Sequence, residues 1–314
     1  MVEEELFFYG PGDEEMLSDY AMLYNLSEGY DNKNHSDYTA RYFRSAFQSS
    51  GTDLSKDVVL VRDSAGFLVA AGTIFVSEEL KRAQLVIHVH PKYRRRGIGT
   101  SLFLRLRLRA MNQHVNELSL RALSFRPYAI AFAASLGFHH INSRVKMRLD
   151  FTEPVRPALY PWGFKVRALH PQKELETWAT LQNKLFKNTM YYAPVTSQSL
   201  ESRSKLVGFD PNLVVLGEVR NIPVGLCVGW TVSGGTDERD GKILQINALG
   251  VLAEHRRKGY GLCLLQEVMN RAYLKGHTRV ELLVDIDNSA AIGLYHKVGL
   301  RETYRHMQFT YSYC

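Results

Sequence analysis

The sequence predicts an α/β fold built as two tandem copies of one unit. Three observations carry this expectation. One strand–loop–helix stretch occurs twice at a constant offset. The order of strands and helices restarts near residue 164. Between the two runs, 152–163 holds Pro154, Pro157 and Pro161 and reads as a linker. The expected domains are 1–151 and 164–314, and a chain of 314 residues is long enough for two cores.

In the first half, Leu6 to Tyr9 reads as a short strand stopped by Gly10-Pro-Gly12. Asp13-Glu-Glu opens a helix through Met16, Tyr20, Leu23 and Tyr24, and Asp37 to Phe47 reads as a second helix. Val58 to Arg62 and Phe67 to Val76 are strands around a hairpin turn, Asp63-Ser-Ala-Gly66. Gln84 to Val89 is the strand that enters the first copy of the repeated loop. Leu102 to Met111 is a helix, Leu118 to Leu123 a strand, Pro127 to Leu136 a helix with Pro in its first turn, and Lys146 to Phe151 a closing strand.

The second half repeats this order. Phe164 to Ala168 is a strand. Lys173 to Lys187 is a helix with Leu175, Trp178, Leu181, Leu185 and Phe186 on its apolar side, and Thr196 to Val207 is a weaker helix. Leu213 to Val219 and Val224 to Val232 are strands joined at Arg220-Asn-Ile-Pro223. Gly234 to Gly241 is a polar hairpin loop, and Lys242 to Val251 is the strand leading to the second copy of the loop. A helix follows from Tyr260 to about Lys275, and the tail from Arg301 to Tyr313 gives one or two strands.

The repeated stretch is Leu249-Gly-Val-Leu-Ala-Glu-His-Arg-Arg-Lys-Gly-Tyr-Gly261, matched by Val89-His-Pro-Lys-Tyr-Arg-Arg-Arg-Gly-Ile-Gly99. Residue 251 less residue 89 gives an offset of 162, and the same offset carries Gly137-Phe138 onto Gly299-Leu300. A glycine loop at a helix start points backbone N–H groups at an anion, and the helix dipole favours negative charge there. Arg256, Arg257 and Lys258 add attraction. The physical reading is a phosphate-binding turn, with a solvated basic helix start as the plain alternative. A P-loop would need Gly-x4-Gly-Lys-Ser/Thr and a dinucleotide fingerprint Gly-x-Gly-x-x-Gly; neither is present.

The pattern Arg-x-x-Gly-x-Gly, as Arg256, Gly259 and Gly261, resembles the acetyl-CoA pyrophosphate loop of the GNAT N-acetyltransferase superfamily. The second half also carries Asn288-x-x-Ala-x-x-Leu-Tyr295-x-x-x-Gly-Leu300, which resembles the later strand–helix segment of that family. The resemblance implies two tandem GNAT-like domains, each a mixed, mostly antiparallel twisted sheet flanked by helices. It implies acetyl-CoA as cosubstrate and no metal. The coenzyme would lie along Leu249, Gly250 and Val251, on Arg256, Arg257, Lys258, Gly259, Tyr260, Gly261 and Leu262, and beside Asn288. Tyr295 would be the acid that protonates the departing thiolate. A phenol with an ordinary pKa of about 10 suits that task, although a tyrosine in an apolar helix also reads as core.

In the first half the loop is intact, and Val89, Arg94, Arg95, Arg96, Gly97, Ile98, Gly99 and Thr100 would hold an acyl-CoA in the same way. At the fixed offset, however, Ala133 stands for Tyr295 and Arg126 for Asn288. The first domain is therefore expected to be catalytically degenerate, and the arrangement resembles the tandem mycothiol synthase type. A general base is harder to place. Many GNAT enzymes carry a Glu on the strand before the loop, where this chain has Gln245 and Asn247. Glu218, Glu281, Asp285 and Asp287 are the nearest carboxylates in sequence.

Net charge is +7, which suits an anionic ligand; nucleic acid is an equal reading of charge alone, but no binding motif or interleaved aromatics accompany it. Three cysteines without a CxxC pair, an acidic start and no long apolar run favour a cytoplasmic protein with no membrane span. His88 and His90 on one strand lack a third ligand at metal spacing. Two functional readings stand. One is an N-acetyltransferase acting in its second domain on a primary amine of a small molecule or peptide. The other is a non-catalytic acyl-CoA-binding regulator.

Overall fold

The computed structural model describes residues 14–32, 35, 37–156, 159–189, 192–233 and 241–312. The strand expected at Leu6 to Tyr9, and most of the polar loop that begins at Gly234, lie outside the described residues. The chain forms two compact units: 1–143 with 305–314, and 144–304.

The first unit holds α1 (Glu14–Gly29), α2 (Ala40–Ser49), a short α3 (Leu54–Asp57), β1 (Val58–Arg62), β2 (Leu68–Ser77), β3 (Arg82–Val89), α4 (Ile98–Asn112), β4 (Glu117–Leu123) and α5 (Pro127–Ser135). Strand β5 (His139–Asp150) leads out of it. In the second unit are β6 (Phe164–Ala168), α6 (Pro171–Phe186), α7 (Ser197–Ser204), β7 (Val214–Val219), β8 (Ile222–Ser233), β9 (Lys242–Val251), α8 (Tyr260–Leu274), β10 (His277–Asp285) and α9 (Ser289–Lys297), and β11 (Arg301–Ser312) ends the described chain. Within the described residues the expected elements are present. Helix α3 is an addition to them; it is one turn, started by Asp53, whose side chain accepts from Ser55 N.

Local chemistry explains the ends of the elements. Thr39 and Asn288 cap α2 and α9 through their side chains, and Thr196 with Ser199 forms a reciprocal cap on α7. Proline opens α5 and α6. The β1–β2 turn closes as expected: Gly66 takes φ +85°, and Asp63 Oδ1 accepts from the N–H groups of Ala65 and Phe67.

In the first unit β1, β2 and β3 run antiparallel, β3 and β4 parallel, and β4 pairs antiparallel with residues 306–312 of β11. In the second, β6 to β9 run antiparallel, β9 and β10 parallel, and β10 pairs antiparallel with residues 144–150 of β5. The strands of each unit are therefore completed by one from the other half of the sequence. The strand expected to close the first domain, Lys146 to Phe151, pairs with β10 of the second unit instead, and the compact units divide the chain differently from an expected boundary at 151. The physical reason lies in the cores. Val145 and Met147 of β5 are buried with the apolar residues of the second unit, and Phe309 of β11 with those of the first.

The helix after each loop is the centre of its core. Phe103, Leu106 and Ala110 of α4 pack over Ile74, Leu85 and Leu118, and Leu102 packs with Val61, Val69 and Ala70. Leu264, Leu265, Val268, Met269 and Ala272 of α8 do the same over Leu216, Leu226 and Leu244. Each such leucine, fully buried, contributes roughly 2 kcal/mol of apolar burial. Packing thus fixes α4 and α8 tightly, and with them the loops at their starts. Among the described residues, no helix is long and apolar enough to cross a membrane.

Candidate active site

Strand β9 pairs with β10 only as far as Ile246–Leu282. From Asn247 to Val251 it keeps β8 on one edge and, among the described residues, has no strand on the other. The two parallel strands thus splay apart, and backbone polar groups of this stretch face an opening. One further irregularity falls here. Val228 pairs with Ala248 but Gly229 pairs with Ile246, so Asn247 is the extra residue of a β-bulge. Bulges bend a strand and leave one residue unpaired, which suits a site that needs an aimed N–H. Strand β3 splays from β4 after the equivalent residue, Gln84, yet its ladder with β2 runs from 82 to 89 without a break.

Beyond the splay, the two loops share one backbone path. After β9 comes a 3-10 turn at Ala253–His255, then Arg256 in extended conformation, Arg257 at φ +58° and Gly259 at φ +84°. After β3 the turn is Pro91–Tyr93, Arg94 is extended, Arg95 sits at φ +65° and Gly97 at φ +80°. The left-handed torsion at Gly259 and Gly97 explains the glycines, since a Cβ is strained there. The second glycine of each pair serves packing. A Cβ on Gly261 would stand 3.2 Å from Leu294, and one on Gly99 3.2 Å from Phe132. Each glycine lets the following helix, α9 or α5, come close to the loop.

Neither α8 nor α4 has a side chain capping its start. The N–H groups of Tyr260, Gly261 and Leu262, and of Ile98, Gly99 and Thr100, are the unpaired donors of a helix N-terminus. With Arg257 exposed beside the first set, this arrangement fits a pyrophosphate. The basic residues divide the work differently from the expectation that all of them reach the ligand. Arg256 Nε donates to Val251 O at 3.0 Å, and Arg94 Nε to Val89 O at 3.2 Å, so each ties the loop back to the strand end. Lys258 Nζ donates to Glu254 O, and Arg96 Nη2 to Lys92 O. The Tyr260 ring is stacked on Phe164 at 4.0 Å, and Ile98 is buried, so both side chains belong to the core.

Tyr295 sits in α9, next to Leu294, with 7% of its surface exposed. Burial, and the neighbouring Cys227 thiol, push its phenol above the ordinary tyrosine range, so it is held protonated. Its hydroxyl has no hydrogen-bond partner among the described residues. Cys227 lies opposite Leu249 in the β8–β9 ladder, and Tyr295 shares a buried core with it. Cys227 is itself fully buried, its thiol pushed up by burial, and nothing in its sequence context marks it as a neighbour of the site. Leu185 of α6 carries no such mark either: it fills the space where Gly250 would carry a Cβ, at 3.1 Å. Asn288 is exposed, and its side chain accepts from Ala291 N at 3.1 Å, so it starts α9.

Three of the four candidate carboxylates are already engaged. Glu218 is buried and paired to Arg167 at 2.8 Å, which also binds Glu174. Glu281 pairs with Lys146 at 2.5 Å, and Asp285 with Arg144 at 3.5 Å. Asp287 is exposed at the turn before α9. Asn247 is exposed at the bulge, and Gln245 lies two residues earlier. Among the described residues, no group of three or more His, Cys, Asp or Glu side chains is placed to hold a metal.

Comparison with known proteins agrees with the tandem fold. A family model described as the acetyltransferase (GNAT) family matches residues 20–138 and again 176–300. Curated relatives include a mycothiol acetyltransferase of Thermobispora bispora, 29% identical over 67% of this chain and 70% of the relative. Another, of an Arthrobacter species, is 27% identical over 92% of this chain and 90% of its own. Among solved structures, a GCN5-related N-acetyltransferase from Sphaerobacter thermophilus superposes with a TM-score of 0.83 at 21% identity, covering 99% of this chain and 97% of that one. A tandem GNAT protein from the clavulanic acid biosynthesis pathway gives 0.75 at 17% identity, covering 99% and 98%. These structural likenesses are of fold. Through the family model, which both stretches match, the chain belongs to the acetyltransferase (GNAT) family and is an acyltransferase.

Proposed function

We propose that the chain transfers an acetyl group from acetyl-CoA to a primary amine, with the chemistry in the second unit. The observation that carries this reading is the coincidence, in that unit, of a bulged and splayed strand with a protonated, unpaired Tyr295. The names of the curated relatives favour a small-molecule acceptor of the mycothiol type over a peptide.

In this reading the first-turn amides of α8 and Arg257 hold the pyrophosphate. Backbone N–H groups between Asn247 and Val251 hold the carbonyl oxygen of the thioester and stabilise the charge that develops on it. The amine nitrogen bonds to the carbonyl carbon as the C–S bond breaks. Tyr295 gives its proton to the departing sulfur, and the surplus proton of the amine returns to the phenolate through water at the exposed edge near Asn247. With the nearby carboxylates engaged or distant, the amine must arrive neutral. Positioning supplies most of the acceleration.

The test is steady-state kinetics with acetyl-CoA, a panel of small amines and a free-thiol readout, on the wild type and Tyr295→Phe. Loss of the acid should lower kcat by about 10²-fold or more while leaving the KM for acetyl-CoA within a few-fold. An unchanged kcat in the variant would remove Tyr295 from the mechanism.

A further inference from the structure

The opening between β3 and β4 in the first unit is crossed by a bolt of side chains. Glu28, at the end of α1, reaches both sides of it. Its Oε1 lies 3.5 Å from His88 Nδ1 on β3, and its Oε2 accepts from Arg126 Nη1 at 2.7 Å, just before α5. Arg126 also donates from Nε to Asp31 Oδ1 at 2.8 Å and from Nη2 to the Glu28 carbonyl at 2.7 Å. Tyr128 donates its hydroxyl to Asp31 Oδ2 at 2.5 Å. Arg94 joins the same cluster. Beyond its tie to Val89, its Nη2 donates to Ser27 O at 3.3 Å, and its guanidinium lies over the rings of Tyr30 at 5.2 Å and Tyr128 at 4.6 Å.

At three of these positions the second unit carries a smaller group, although Arg256 matches Arg94 and Leu185 packs against Gly250. The offset of 162 carries His88 to Gly250, Arg126 to Asn288 and Tyr128 to Ala290. The loop torsions and the pairs Gly99–Phe132 and Gly261–Leu294 obey the same offset, so the comparison is position for position. Three large side chains stand where the second unit has a glycine, an exposed helix cap and an alanine.

We infer that the first unit's cleft is filled by its own side chains, and that the chain takes up one acyl-CoA, in the second unit. This rests on the coenzyme reading above, and it departs from the expectation that the first loop also holds an acyl-CoA. The energetics favour it. Arg126 is 7% exposed and its charge is met by two carboxylates and a carbonyl. A ligand entering the cleft must separate these groups, and a buried charge left without its partner is strongly unfavourable. The arm of a coenzyme that leads from pyrophosphate to thioester is uncharged, so it can compensate neither Arg126 nor the pair Glu28 and Asp31. Burial holds His88 neutral, with its Nε2 lacking a partner among the described residues, so Arg126 is the cation that answers Glu28.

The experiment is calorimetric titration of acetyl-CoA into the full chain, with native mass spectrometry as a second count of bound molecules. The expected result is a single equivalent, lost in Gly259→Val. Two equivalents, or one that persists in Gly259→Val, would overturn the inference. No binding at all would instead remove the coenzyme reading on which it rests. An opened variant carries Glu28→Gln, Asp31→Asn, His88→Gly, Arg126→Asn and Tyr128→Ala, so that neither carboxylate of the pair is left stranded. If it folds by circular dichroism, a second equivalent should appear, and its absence would show that these side chains are not what closes the cleft. Should the variant fail to fold, the wild-type stoichiometry still decides.

Discussion

The two units carry one loop, matched to within a few degrees at Gly97 and Gly259, and each has a parallel strand pair that splays after equivalent residues, Gln84 and Ile246. They differ in what stands around that frame. The second has a bulge at Asn247, a free phenol at Tyr295 and small residues at 250, 288 and 290. The first has an unbroken β3 ladder, Ala133 in place of the tyrosine, and the Glu28–Arg126–Asp31 cluster. A shared loop therefore says little about shared use. The loop is kept by packing as much as by ligand, because Arg94 and Arg256 each tie it to the end of the strand. An anion loop that also forms the junction between a central strand and a central helix has a structural reason to persist after its cleft has filled.

The largest expected effect that sharpens this contrast is on stability. Phe309 of β11 is 4% exposed in the first unit's core, and Tyr311 packs edge-on to Phe103 at 6.2 Å. Truncating Phe309 to Ala should cost about 3–5 kcal/mol. Hydrogen exchange should then accelerate in β4 and α4, while acetyl-CoA binding by the second unit persists. If coenzyme binding vanished while α8 stayed protected, the assignment of binding to the second unit would fail.

His88 offers an effect of roughly 3 kcal/mol, read through pH. Its pKa is lowered to about 4, chiefly by burial; Glu28 opposes this, while Arg126, Arg94 and His35 add to it. Its ordinary value is about 6.5. Between those two values the unfolded chain binds the proton and the folded chain does not. The first unit should therefore lose stability as pH falls from 6.5 towards 4, by about 1.4 kcal/mol for each pH unit crossed. Urea midpoints followed across that range in wild type and His88→Gln should diverge, with the variant flatter. Parallel curves would mean that His88 is not buried in neutral form. Gly250 holds the matching position, so no such slope should come from it.

Much of this is legible in the residues. The period of the repeat, the element order and the torsional demand at Gly97 and Gly259 all follow from short-range chemistry, and spacing reports that well. The exchange of β5 and β11 is hidden, because a strand's own alternation, such as Val145 and Met147, states that it has a buried face and not which sheet receives it. The bolt is hidden too. Glu28 and Arg126 are 98 residues apart, and each reads as an ordinary surface charge until the fold sets it beside the other. His88 alternates with the apolar Ile87 and Val89 on β3, which marks it as outward-facing, and only the fold, which lays Tyr24 and Glu28 of α1 against it, buries it. Glu218 and Glu281 qualify as bases on sequence proximity, whereas their ion pairs depend on Arg167 and Lys146, which lie on other strands.

A change at the first-turn glycine separates loop strain from ligand binding. Gly259→Val forces a β-branched residue into the left-handed region at a cost of about 1–3 kcal/mol. The strain falls on the three N–H groups assigned to the pyrophosphate, so acetyl-CoA binding should be lost from the titration, a rise in Kd of roughly 10²-fold or more. Equal stability losses in Gly97→Val and Gly259→Val, with a binding loss confined to the second, would keep the two roles of the loop apart. A binding loss in Gly97→Val would merge them.

The smallest expected effect is the most specific. Gly261→Ala and Gly99→Ala each add a methyl 3.2 Å from a side chain on the next helix, Leu294 or Phe132. The helix propensity gained by replacing glycine, about 1 kcal/mol, offsets much of the crowding, so both variants should stay within about 1 kcal/mol of wild type in stability. Their consequences differ because of the neighbour that moves. Leu294 precedes Tyr295, and a displacement of a few tenths of an ångström at α9 shifts the phenol relative to the splayed strand. Phe132 precedes Ala133, which has nothing to misplace. Gly261→Ala should therefore lower kcat by several-fold with acetyl-CoA affinity nearly kept, while Gly99→Ala leaves both unchanged. The split between kcat and affinity is the useful reading. A fall in affinity alone would place the close approach at Gly261 in coenzyme binding rather than in aiming Tyr295.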